Sequence, residues 1–129
     1  EKWDYIVIQQ SSHDSGWLDT YEPFMGWIAE YIKKEAPWAK FMLQETWAYE
    51  VDSKHDCFAR YHRDQDEMYQ KLYEAYHLAA DRNHTLIADV GKKFYELSDK
   101  VNLYADDGCH PNEKGSQIAA EIIAEVLMN

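Results

Sequence analysis

A chain of 129 residues with 46% hydrophobic content is long enough for one domain with a sizeable core. Thirteen Lys and Arg against 24 Asp and Glu give a formal charge of −11 with no basic cluster, which makes nucleic acid and anionic membranes poor partners. No apolar run approaches the roughly 20 residues that span a bilayer, and 15% aromatic content argues against disorder.

Tyr5-Ile6-Val7-Ile8 is a continuous run of β-branched and aromatic residues. It predicts a strand buried on both faces, as in a parallel sheet. The polar stretch Gln9–Gly16 then reads as a loop. Pro23 suits the first turn of a helix, where a missing N–H is harmless. Phe24, Trp27, Ile28, Tyr31 and Ile32 follow at i, i+3, i+4, i+7 and i+8, which predicts one apolar helix face. Ala36-Pro37 ends that helix. Lys40–Thr46 is the second strand, with Phe41, Met42 and Leu43 as its apolar centre. Residues Ala48–Arg63 read as a long polar loop, of the kind that is functional or mobile. Asp64 caps the next helix, whose inner face is Met68, Leu72, Ala75, Tyr76 and Ala79. Thr85–Val90 is the third strand, and a short helix around Lys92–Asp99 follows. Asn112 caps the last helix, with Ile118, Ala119, Ile122, Ile123 and Val126 inward. The order βαβαβα plus a final helix predicts a three-layer α/β domain over residues 1–129, with a parallel sheet and helices on both faces.

Ligands in open α/β sheets collect beyond the carboxyl ends of the strands. Two polar segments are expected there, Gln9–Gly16 and Asp106–Pro111. Asp107 and His110 lie three apart in a glycine-containing turn. A carboxylate beside an imidazole fixes its tautomer and stabilises its protonated form, so the His can take a proton from a hydroxyl nucleophile. Spacing alone fits a capped turn equally well. Asp106 is adjacent and is the alternative partner. His55, Asp56, His62 and Asp64 match no closed zinc spacing and read as exposed loop residues. Cys57 and Cys109 are too few for a disulfide scaffold, and either one bridge or two thiols would fit. Cys109 beside His110 reads as an inert thiol rather than a nucleophile.

The string Asp107-Gly108-Cys109-His110-Pro111, followed by Gly115-Ser116 and an Ala-rich helix, resembles the last block of the SGNH (GDSL-type) hydrolase superfamily. That resemblance implies catalytic Asp and His roles for Asp107 and His110. The segment from Trp3 to Asp14 looks like the third block of that family, where a strand leads to a Gly-x-Asn-Asp-like turn with oxyanion donors. Ser11 then falls on the Gly, His13 on the Asn and Asp14 on the Asp. Gln9-Gln10-Ser11-Ser12, Thr46-Trp47-Ala48-Tyr49 and Asp107-Gly108-Cys109-His110 together resemble an uncharacterised bacterial branch. The match runs in order over essentially the whole chain. It implies a flavodoxin-like fold and a serine esterase or acyl hydrolase, with a carbohydrate O-acetyl ester as the first expected substrate. It implies no metal or organic cofactor. Gln10, Ser12 and His13 become candidate oxyanion or substrate contacts. Trp47 and Tyr49 could stack on a sugar or close the core.

One departure is large. The family nucleophile lies in a Gly-Asp-Ser or Gly-Asn-Ser block, and none of Ser11, Ser12, Ser15, Ser53, Ser98 and Ser116 follows such a dipeptide. Ser12 is the substitute, but an activated serine needs its base within hydrogen-bond reach and a preformed oxyanion hole. The chain shows no signal-peptide pattern at residue 1 and is strand-like by Tyr5. It therefore looks like the later two-thirds of such a hydrolase, with the first two strands and the nucleophile outside it. Tyr5–Ile8 would then be an apolar edge, to be completed by an N-terminal segment, a second copy or strand exchange. Secretion or a periplasmic location would suit a glycan esterase. The alternative from another class is a non-catalytic remnant or glycan-binding module.

Overall fold

The computed structural model describes residues 1–129. Strand β1 spans Tyr5–Ile8, helix α1 Phe24–Glu35, β2 Lys40–Gln44, α2 Gln65–Asn83, β3 Leu86–Ala88, α3 Val90–Leu97 and α4 Glu113–Met128. Short 3₁₀ turns occupy Ser12–Asp14, Leu18–Thr20 and Asp56–Tyr61. The three strands are parallel in the order β1-β2-β3, with Tyr5 opposite Lys40 and Met42 opposite Leu86.

Side chains alternate across β2, and its neighbours Met42 and Leu43 enter different cores. Leu43 packs with Met25 of α1 and with Met68, Leu72, Ala75 and Tyr76 of α2. Met42 packs with Val90 and Phe94 of α3 and with Ile118 and Ala119 of α4. Two cores on opposite faces of one sheet make the expected three-layer α/β arrangement. Local caps hold as read. The Asp64 carboxylate accepts the Glu67 N–H at 3.0 Å, and the Asn112 amide oxygen accepts the Gly115 N–H at 2.9 Å. The Lys40 ammonium donates to the Leu127 carbonyl at 2.9 Å, placing a cation at the negative end of α4.

Four expectations are corrected. Strand β1 is not buried on both faces: Tyr5 is 50% and Val7 38% exposed. Val7 lies beside Met42 in the sheet, but only Met42 joins the core formed with α3 and α4, so that layer stops short of the edge strand. The inward face of α1 is Met25, Ala29 and Ile32. Of the predicted stripe only Ile32 turns inward, while Phe24, Trp27, Ile28 and Tyr31 stay exposed, Trp27 at 61%. Helix α1 thus carries two apolar stripes, and periodicity cannot say which one meets the core. The segment Ala48–Arg63 is no loose loop, because Tyr49, Phe58 and Tyr61 within it are fully buried. Finally, α3 begins at Val90 rather than near Lys92, because Val90 and Gly91 are already packed.

Candidate active site

The turn after β3 and α3 holds the Asp–His pair. Asp107 Oδ1 accepts the backbone N–H groups of Cys109 and His110, both at 2.9 Å. Its other oxygen, Oδ2, lies 2.5 Å from His110 Nδ1. Both carboxylate oxygens are therefore occupied, one shaping the turn and one orienting the imidazole. The hydrogen bond from His110, then those from the two N–H groups, hold the Asp107 carboxyl down to about 2 from an ordinary 3.8. With Nδ1 engaged, Nε2 is the ring nitrogen left to take a proton. The His110 side chain is 77% exposed. Asp107, and not its neighbour Asp106, makes the pairing.

The turn is braced by the segment that leaves β2. Glu50 N–H donates to the Gly108 carbonyl at 2.8 Å, and Trp47 Nε1–H to the Cys109 carbonyl at 2.9 Å. Ser53 Oγ–H donates to the Asp107 carbonyl at 3.1 Å, and Tyr104 O–H to the Ala48 carbonyl at 2.7 Å. This is the work of the residues that read as a loop. Gly108 has φ +65°, and a Cβ there would lie 2.8 Å from Ser53 Cβ and 3.1 Å from Ser53 Cα. Gly108→Ala is expected to cost about 1–2 kcal/mol from the left-handed backbone alone, plus the clash. The measurement is the thermal midpoint, which should fall by several degrees.

The first polar segment joins the segment that braces the turn. Ser12 Oγ lies 2.9 Å from the buried Tyr49 hydroxyl, and Tyr49 packs in the same core as Cys109, next in the chain to His110. Burial pushes the Cys109 thiol up from its ordinary value, and both cysteines are free. The Ser12 hydroxyl is engaged with Tyr49 and makes no hydrogen bond to the pair. His13 faces Asp14 at 3.5 Å with its side chain about half exposed, and its carbonyl accepts the Tyr61 hydroxyl at 2.9 Å. Gln10 folds back on its own loop: Nε2 donates to Thr20 Oγ1 at 3.1 Å, and Oε1 accepts the Ser11 N–H at 2.8 Å. Trp47 stacks on Phe94 with centroids 4.4 Å apart, closing the second core. Asp107 and His110 are joined directly; Trp47 reaches the turn through the Cys109 carbonyl and Ser12 bonds Tyr49, while Gln10 and His13 hold the first loop.

A second polar cluster had no local signature. Glu45, just past β2, is fully buried. Its Oε1 accepts the Lys92 N–H at 2.7 Å, capping α3 from outside that helix. Asp89, at the N-cap position of α3, makes no cap bond. It lies instead 2.8 Å from His77 Nε2, which is 3.6 Å from Glu45 Oε2. Burial pushes the Glu45 carboxyl up to about 8. These residues are 32 and 12 positions apart on separate elements, so no motif could have announced them.

Residues 1–88 match the family described as domain of unknown function DUF4886. A DUF4886 family protein from Bacteroides uniformis has a crystal structure similar to this fold at TM-score 0.88 and 30% identity, covering 98% of this chain and 51% of its own. A candidate SGNH hydrolase from Slackia heliotrinireducens superposes at TM-score 0.82 and 31% identity, covering 98% of this chain and 67% of its own. An acetylxylan esterase from Geobacillus stearothermophilus shares the fold at TM-score 0.64 and 16% identity, over 96% of this chain and 59% of its own. The chain therefore spans about half the length of the Bacteroides uniformis protein. No curated protein matches it in sequence. On the family match and the shared fold, the chain belongs to the DUF4886 family within the SGNH hydrolase-like superfamily.

Proposed function

We propose that this chain supplies the acid–base half of a serine esterase, with His110 as general base and then general acid and Asp107 as its orienting carboxylate. The observation that carries this reading is the Asp107 Oδ2 to His110 Nδ1 contact at 2.5 Å, on a turn held by four further bonds. Such a pair activates a hydroxyl only when the hydroxyl sits at the free ring nitrogen, within roughly 2.6–3.2 Å. Ser12 does not meet this requirement: its hydroxyl is bonded to Tyr49 and makes no hydrogen bond to His110. The nucleophile in this reading is a serine supplied by a segment outside these 129 residues. The exposed Tyr5 and Val7 on β1 and the outer stripe of α1 are the apolar surfaces against which that segment would pack.

In the reaction the serine oxygen attacks the ester carbonyl as His110 Nε2 takes its proton. The imidazolium, held by Asp107, then returns a proton to the departing alcohol. Water repeats the sequence on the acyl-enzyme. A small or carbohydrate acyl ester is the substrate class, supported by the acetylxylan esterase that shares the fold.

The test is intact mass after treatment with a fluorophosphonate probe. The expected result is no adduct on the 129-residue chain. A longer protein that restores the family's nucleophile block should take one adduct at that serine and hydrolyse short acyl esters. An adduct on Ser12 would place the nucleophile inside this chain. Absence of turnover by the longer protein across a broad ester panel would sink the esterase reading.

A further inference from the structure

The Glu45, His77 and Asp89 cluster shares no side chain and no hydrogen bond with the Asp107–His110 turn. Its arrangement is costly for a site that only holds the fold together. Glu45 Oε2 is buried and has no hydrogen-bond partner. A buried carboxylate oxygen without a donor leaves a desolvation cost unmet, whether the group is ionised or protonated. Asp89 stands where it could cap α3 and instead faces the imidazole.

The geometry points to a binding site for one divalent transition cation of the zinc class, held by Glu45 Oε2, His77 Nε2 and Asp89 Oδ1. The three ligand atoms all lie within 4.8 Å of one another. Two of the separations are 2.8 and 3.6 Å. They bracket the roughly 3.3 Å edge of a tetrahedron with metal–ligand bonds near 2.0–2.1 Å. Two carboxylates and a neutral imidazole balance a 2+ charge, and the ion would give Glu45 Oε2 the partner it lacks. The outer shell is already set. Lys92 N–H fixes the other Glu45 oxygen at 2.7 Å, and the His77 ring packs on Tyr73 with centroids 4.1 Å apart. The side chains of His77 and Asp89 are 32% and 41% exposed, which leaves an entry path and a fourth position for water. The mixed oxygen and nitrogen donors favour such a cation over magnesium, which prefers an all-oxygen octahedral shell. The ion would tie the exits of β2 and β3 to α2. It takes no part in the ester chemistry proposed above.

The test is zinc titration of the chelator-stripped protein by calorimetry, with bound metal counted after gel filtration. One zinc per chain is expected, with cobalt substitution giving the visible bands of a four-coordinate ion. Glu45→Gln and Asp89→Asn keep side-chain size, and each should weaken zinc at least about 100-fold. Circular dichroism of these variants should be unchanged, and Cys57→Ser should bind as the parent does. No zinc retained by the parent protein would overturn the assignment. So would zinc held at unchanged affinity by either ligand variant.

Discussion

In a protein carrying the nucleophilic serine, His110→Ala is expected to lower kcat/KM for a short acyl ester by at least about 1,000-fold, with little change in stability. The imidazole is mostly exposed and its ring fills no core, so its loss removes chemistry rather than packing. Asp107→Asn tests the partner. It should cost roughly 100- to 10,000-fold, because an amide cannot stabilise the imidazolium and can favour the wrong tautomer. It should also loosen the turn less than Asp107→Ala, since the amide oxygen can still accept the Cys109 and His110 N–H groups. The pH dependence follows from the lowered carboxyl. The folded value of about 2 lies below the ordinary 3.8. The stabilisation contributed by ionised Asp107 is therefore complete above about pH 4 and disappears as pH falls through the folded value. An acid limb near neutral pH would not report Asp107. Equal ester turnover by His110→Ala and the parent would end the catalytic reading.

Gly91→Ala should give the largest loss of stability, about 3 kcal/mol or more. A Cβ at Gly91 would lie 2.1 Å from the Thr46 carbonyl oxygen, 2.8 Å from Glu45 Oε1 and 3.1 Å from Leu72 Cδ1. The first of these is backbone, so no rotamer change relieves it. Alanine normally gains about 0.5–1 kcal/mol over glycine inside a helix, too little to offset an overlap of that depth. To make room, α3 would have to lift from the end of β2, breaking the Glu45 cap and unseating Phe94. Urea unfolding should show a lower midpoint at an unchanged slope. A variant as stable as the parent would mean that α3 is not seated on Thr46.

The two expectations rest on different levels of organisation. The Asp107–His110 turn is local: three residues apart, closed by one carboxylate, with a glycine at the left-handed position. Such a unit is legible in sequence, because the bonds that close it join residues at most three apart, although the segment after β2 braces it from outside. The same holds for the Asp64 and Asn112 caps and for the inner face of α2, a single uninterrupted stripe. Gly91 is different. Nothing in Val90-Gly91-Lys92 says that a carbonyl 45 positions earlier presses against it.

The amino-acid order by itself determined the alternation of strands and helices, the parallel three-layer class, the helix caps and the Asp–His turn. Each is set by periodicity or by contacts within a few residues. The tertiary structure alone decided which apolar stripe of α1 faces inward and that β1 lies open at the sheet edge. It also turned a polar-looking segment after β2 into the brace of the Asp–His turn, and it brought Glu45, His77 and Asp89 together. These features depend on how distant elements stack. A local pattern records that a face is apolar or that a carboxylate is present, but not what packing will put opposite it.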